Sequence, residues 1–330
     1  EQRARAIIEY REQYGRFAAV EEAAAVPGLT EAVVAPVGGI IYFANNFDNV
    51  DQTRDMISNT QSYSKIGLFI ATDEEGGRVN RIMDTLGTTY IGPMYDYKDD
   101  GPDAAFENAK TIASDMSALG FNLDFAPVAD VWSNPDNTVI GDRAYSDDYA
   151  QAAELVGSAV KGFQDGGVIC TLKHFPGHGD TAEDSHYSSA YVNRTKAQIM
   201  ADEMQPFRTG IDAWAELVMV GHLIVPDIDE LPSTLSYKIA TEMLRGDLEF
   251  DGVAITDSME MESIADNYGV ADSAVMAVQA GMDMLLQPAD LAAAVNAIVT
   301  AVQNGDITEP RIDESVRRIL TLKAERGLLE

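Results

Sequence analysis

Three of the chain's four histidines, His174, His178 and His186, lie in the stretch KHFPGHGDTAEDSH (Lys173 to His186), together with Asp180, Glu183 and Asp184. A histidine beside a carboxylate can give up a proton near neutral pH and take it back, so His186, two residues after Asp184, has the makings of a general acid and base. Asp257, in GVAITDSMEM, directly follows an apolar β-branched run, a place from which a carboxylate can act as nucleophile or base. The competing reading of Asp257 is a helix cap, with Glu260 three residues on as in a capping box. DEEGGRVNR (Asp73 to Arg81) is a third polar segment, in which the Gly76-Gly77 pair lets backbone approach a ligand. Structural alternatives stand beside these as well: Lys173 and His174 as ion pairs inside the sheet, and His178, flanked by glycines, as a residue that holds the loop together.

These side chains need strands to hold them. The histidine-rich stretch follows VICTL (168–172), which reads as a buried strand, and the same arrangement recurs along the chain. Strands are expected at 38–44, 66–72, 121–128, 168–173, 216–222, 252–256 and 282–287. Helical patterns fill 51–64, 103–119, 148–165, 195–214, 237–247, 270–280, 289–304 and 309–327. Such alternation predicts an α/β fold with a parallel sheet and helices outside it. Polar residues follow the strand ends: Asn45 and Asn46, Asp73 to Glu75, Asp130, His174, His222, Asp257 and Gln287. An eighth strand near Phe17 to Val20 would close a (β/α)8 TIM-type barrel, irregular at its first strand, and bring all these ends to one mouth. An open doubly wound sheet would spread them along an edge. With no linker or internal repeat, and with 92–102 and 133–143 read as mouth loops, residues 1–330 form one catalytic barrel domain, of which 1–36 is a polar, Ala-rich leading segment.

Composition narrows the function. A net charge of −31 with no basic cluster disfavours nucleic acids and anionic membranes as partners. No apolar run approaches the roughly 20 residues needed to span a bilayer. The N-terminus lacks a signal-peptide core, but the chain does not begin with Met, so cytoplasm and export with a signal already removed both stay open. The single cysteine, Cys170, rules out an internal disulfide and reads as a buried small hydrophobe. A metal-dependent hydrolase would also place His and Asp at strand ends, but no His-x-His pair occurs, and neither a P-loop nor a dinucleotide-binding glycine motif is present. No metal and no cofactor are expected.

The segments VGGIIYFANN, DEEGGRVNR, GFNLDFAPVADV, IGDRAYS, KHFPGHGDTAEDSH, MVGH and AITDSMEM, in this order, resemble the family three glycoside hydrolases, specifically the single-domain bacterial β-N-acetylhexosaminidases of peptidoglycan recycling. The resemblance runs from about residue 37 to 330. It implies that Asp257 is the nucleophile of a retaining mechanism and His186 the acid/base, with Asp184 as its partner. It further implies that Asp73, Arg143, Lys173 and His174 bind the sugar, with Asp130 and His222 as additions. A His-Asp dyad departs from the usual pair of carboxylates. The expected substrate is a small N-acetylglucosamine glycoside of muropeptide type, acted on by a monomer. Rival expectations are a phosphorylase on the same scaffold, since a histidine does not repel incoming phosphate, a catalytically silent carbohydrate-binding barrel, and a metal-dependent amidohydrolase. Before residue 37 the chain lacks the family's apolar first strand.

Overall fold

The computed structural model describes residues 37–181 and 190–329. The strand expected near Phe17 to Val20, and the residues Glu183, Asp184 and His186, lie outside the described residues.

Seven strands carry the fold: β1 (Gly39–Ile41), β2 (Phe69–Thr72), β3 (Leu123–Asp124), β4 (Thr171–Phe175), β6 (Leu217–Val220), β9 (Val253–Ser258) and β10 (Met284–Leu286). β1, β2 and β3 pair in that order, as do β4, β6, β9 and β10, every pairing parallel. Parallel bridges from Leu123 to Ile169 and from Val128 to Lys173 join the two sets. The seven strands expected from the apolar runs are therefore present, each trimmed or shifted by a few residues. β9 is the exception that lengthens, running through Asp257 to Ser258.

Alternation along the strands sorts the core into two layers. Phe69, Ala71, Leu123, Phe125, Ile169, Leu217, Met219, Val253 and Ile255 form one cluster, against which Ile41, Met284 and Leu286 pack, so six of the seven strands contribute to one shared cluster and Ile169, just before β4, joins it. Their alternates Ile70, Leu172, Val218, Val220 and Ala254 turn outward into the larger cluster shared with the helices. The helices that share it are α1 (Val50–Ser62), α2 (Pro102–Leu119), α3 (Tyr149–Asp165), α4 (Lys196–Ala201), α5 (Met204–Asp212) and α6 (Val270–Ala280), while α7 (Leu291–Asn304) and α8 (Glu309–Glu325) pack through Ala301, Ile298 and Ile312 in a third cluster, and α8 also reaches the first through Leu322. α2 shows why they form: Ala105, Ala109, Ile112, Ala113, Met116 and Leu119 repeat at helical spacing and are buried, while Gly120 ends the helix in a left-handed conformation.

Three elements depart from the sequence expectation. The helix expected over 195–214 breaks into α4 and α5, because the ring of Pro206 collides with a helical carbonyl four residues back, at Asp202. A small sheet, β5 (Ala190–Tyr191), β7 (Leu223–Val225) and β8 (Asp229–Pro232), lies just beyond the end of β6, too short to leave a periodic signature. The helix expected at 237–247 is a π-helix, Lys238–Asp247. No described helix is long and apolar enough to cross a membrane.

At the opposite end of the sheet, α8 is stitched to the starts of the first two strands. Buried Lys323 donates to the carbonyls of Gly38 and Gly67, each at 2.7 Å, and lies 4.8 Å from the centre of the Phe69 ring. Gly67 in turn donates to the Leu328 carbonyl. Burial pulls the Lys323 ammonium down to about 8. Lys323→Ala leaves both carbonyls without this donor and is expected to cost about 2 kcal/mol, read as a lower urea midpoint at an unchanged slope.

Candidate active site

Parallel pairing puts the C-terminal ends of β2, β4, β6 and β9 on one side of the sheet. Asp73 directly follows β2, Lys173 and His174 lie within β4, His222 follows β6, and Asp257 is the penultimate residue of β9. His222 locks two of these ends together. Its Nε2 is 2.8 Å from the Ser258 carbonyl, which can only accept, so Nε2 carries the proton, and Nδ1 faces the Thr234 hydroxyl at 2.8 Å. A histidine expected to meet sugar thus also fixes the backbone next to Asp257. The Ser258 amide donates to Asp257 Oδ1 at 2.8 Å. The helix-cap reading of Asp257 does not match this geometry: the next helix spans Glu262–Ala265, its cap position is Met261, and no side chain bonds there.

The acidic run after β2 separates into three different tasks. Asp73 stays partly open and pairs with Lys173 Nζ at 3.0 Å. Glu74 turns into the protein and accepts the backbone N–H groups of Arg81, Ile82 and Met83, clamping the turn; burial nonetheless pushes it up to about 7. Glu75, whose side chain is fully buried, receives Arg143 Nε and Nη2 at 2.8 Å each and Lys173 Nζ at 2.5 Å. Burial alone would raise the Glu75 carboxyl, but the attraction of Arg143 and Lys173 outweighs it and holds the group far below its ordinary 4.5. Arg143 is fixed further by its Nη1 bond to the Val139 carbonyl, at 3.0 Å. Sequence reasoning assigned roles to Asp73, Arg143 and Lys173 and placed Glu75, the group that joins them, at the strand end without a role of its own. The signal was the position of Glu75 in a strand-end acidic run followed by two glycines.

Asp130 is equally buried and grips the loop that follows β4. Its oxygens accept from the His174 amide at 3.1 Å, the His178 amide at 2.7 Å and His174 Nδ1 at 2.6 Å. Burial tends to raise this carboxyl, and the neighbouring His174 outweighs the effect and lowers it, so Asp130 is anionic. His174 is thereby held with its proton on Nδ1. His178 is buried against Thr181 Oγ1 at 2.7 Å, and burial, reinforced by His174, brings it down to about 4. That leaves it neutral at pH 7, in keeping with the loop-holding alternative. Gly179 has no room for a side chain, since a Cβ there would lie 1.6 Å from the Val131 carbonyl oxygen. Cys170 is buried just before β4, beside the Glu216 carboxylate and away from this loop, its thiol pushed up to about 12 by burial.

Among the described residues no group of three or more His, Cys, Asp or Glu side chains is arranged to hold a metal ion. An open groove of about 720 Å³ between α6 and α7 belongs to the outer helical layer and not to the strand ends. What the rim offers is a set of hydrogen-bonding charges suited to a polyhydroxylated ligand: a carboxylate at 73, an ammonium at 173, a guanidinium at 143 and an imidazole at 174. A further carboxylate, at 257, lies across β6 from them.

Glu75→Gln removes the anion between two buried cations and is expected to cost about 3–5 kcal/mol at neutral pH. The folded-state pKa lies below the unfolded value, so this stabilisation is complete above about 4.5 and is lost as pH falls. The stability gap between wild type and variant should therefore narrow below pH 4.5 in denaturant titrations.

Comparison with known proteins gives a consistent set of relatives. The family profile described as Glycosyl hydrolase family 3 N terminal domain matches residues 22–322, beginning earlier than the motif resemblance. Beta-hexosaminidase A of Pseudoalteromonas piscicida is 33% identical, over 91% of this chain and 55% of its own length. A beta-hexosaminidase of Idiomarina loihiensis is 34% identical, over 86% of this chain and 85% of its own. The solved glycoside hydrolase family 3 beta-N-acetylglucosaminidase of Paenibacillus sp. str. FPU-7 superposes with a TM-score of 0.85 at 41% identity, covering 88% of this chain and 57% of that one. The chain thus spans little more than half the length of two of these relatives.

Proposed function

The chain belongs to glycosyl hydrolase family 3, and from that premise we propose that it is a retaining β-N-acetylglucosaminidase acting on N-acetylglucosamine glycosides such as peptidoglycan fragments. The observation that carries the reading is the shared rim. Asp257 ends β9, His222 ties that end to β6, and Lys173, His174 and Asp73 stand at the ends of β4 and β2 on the same side. The names of the beta-hexosaminidase relatives support the choice of sugar.

In the proposed mechanism Asp257 attacks the anomeric carbon while His186, oriented by Asp184, protonates the departing glycosidic oxygen. The neutral imidazole then activates water to cleave the glycosyl-aspartate. Asp73, Arg143, Lys173 and His174 bind the sugar hydroxyls. Their charges are already balanced through Glu75 and Asp130, so the ligand meets oriented donors and acceptors rather than a net field. Asp130 acts by holding His174, and His222 by holding the Ser258 backbone beside Asp257. The scaffold proposed for this chemistry is a closed (β/α)8 barrel forming one domain and working as a monomer. Closure is supported by the single inner cluster and by the approach of β1 to β10, where a Cβ on Gly38 would lie 3.4 Å from Met284 Cε.

Asp257→Ala is expected to lower turnover of an aryl β-N-acetylglucosaminide by about 10,000-fold or more with an unchanged melting curve; near-normal turnover refutes the assignment. His186→Ala should depress kcat/KM steeply for a disaccharide and little for a dinitrophenyl glycoside, whose leaving group needs no proton. Equal losses on the two substrates would rule out a proton donor at 186.

A further inference from the structure

The buried carboxyls beneath the sugar-binding rim are not all provided for alike. Glu74 meets three backbone amides, Glu75 meets Arg143 and Lys173, and Asp130 meets two amides and an imidazole nitrogen. Asp124, the last residue of β3 and wholly buried, meets one donor. Its Oδ1 accepts the Glu74 amide at 2.9 Å, and no described residue bonds its buried Oδ2.

The donors around Asp124 are committed elsewhere. Thr72, its register partner across β2 and β3, gives its hydroxyl to the Tyr42 carbonyl at 2.8 Å. Lys173 is taken by Asp73 and Glu75, and the Tyr145 hydroxyl bonds Tyr97. The charged and titratable groups that bear on Asp124 are Glu74 and Asp73 after β2, Lys173 within β4, Cys170 just before β4, and Tyr145. Burial is the strongest influence and raises the carboxyl well above its ordinary 3.8; Glu74 and Asp73 add to the rise, while the Glu74 amide and Lys173 oppose it. An ionised carboxylate here would bury charge on an oxygen that no donor reaches, so the acid keeps its proton at neutral pH.

The single bond that Asp124 makes falls on the peptide joining Asp73 to Glu74. On one side of that peptide Asp73 reaches the rim and pairs with Lys173; on the other Glu74 turns inward. We infer that Asp124 is a positioning residue that works as a neutral acid, accepting the Glu74 amide and so setting the direction in which Asp73 leaves β2 toward the sugar. The inference rests on the proposed role of Asp73. Neutrality matters because a further anion beside Asp73 and Glu75 would compete for the one ammonium, Lys173, that both already share. The unfolded carboxyl ionises above about 3.9 while the folded one stays protonated, so this group lowers stability progressively as pH rises from that value.

The test compares wild type with Asp124→Asn, whose side-chain oxygen still accepts the amide, and Asp124→Leu, of similar shape with no acceptor. Calorimetric titration with N-acetylglucosamine should give a dissociation constant about 10-fold higher for Asp124→Leu and within about twofold of wild type for Asp124→Asn. The urea midpoint of Asp124→Asn relative to wild type should rise between about pH 4 and pH 8; Glu74 titrates in both proteins, so the changing gap belongs to residue 124. Asp124→Ala repeats the binding measurement if the leucine variant fails to fold. Wild-type binding without the acceptor, a 10-fold loss of binding in Asp124→Asn, or a gap that stays flat or shifts toward wild type as pH rises would overturn the inference. A wild type that neither binds N-acetylglucosamine nor hydrolyses any β-N-acetylglucosaminide would instead overturn the proposed function, and the urea comparison would still decide whether Asp124 is neutral.

Discussion

Glu75 has no contact with water, yet its carboxylate holds two cations, Arg143 and Lys173, that come from different parts of the chain. Burying any one of these charges alone would be prohibitive. Together they form a group whose outer members, Lys173 and Asp73, reach the rim where the strands end. The cluster therefore acts at two levels: it joins the end of β2 to β4 and the 138–143 loop, and it presents charged hydrogen-bonding groups whose orientation is set before a ligand arrives. Asp130 repeats the device one strand along, receiving two backbone amides and an imidazole nitrogen, and so shapes the loop after β4.

Asp257 lies on the far side of β6 from both clusters. His222, at the end of β6, bonds the backbone immediately after Asp257 and so carries the geometry across from one side of the rim to the other. The proposed division of labour is that one side of the rim grips the sugar and the other attacks it, with His186, between β4 and β5 in the sequence, as the proposed proton donor.

Much of this was legible in the sequence, for identifiable reasons. Parallel strands buried on both faces appear as apolar runs, so all seven were found, and the polar residue after each run marked the rim. The resemblance to the family then picked Asp73, His174 and Asp257 from those residues and added Arg143 and Lys173. The role of Glu75, placed at a strand end but not singled out, escaped because a buried carboxylate is written with the same letter as a solvated one. Only the partners reveal the difference, and those stand 68 positions away for Glu75 and Arg143. The break of the 195–214 helix was signalled by Pro206, while the strands β5, β7 and β8 owe their pairing to tertiary context and have no periodicity to read.

The account's central claim is that a sugar held by the Glu75-anchored charges presents its anomeric carbon to Asp257. The direct measurement is a crystal structure of the protein after reaction with a slow fluorinated N-acetylglucosaminide. The account predicts a covalent bond from the anomeric carbon to the Asp257 carboxylate, with ring hydroxyls bound to Lys173 and Asp73. A sugar bonded to a different residue, or lodged away from Lys173 and Asp73, would contradict it.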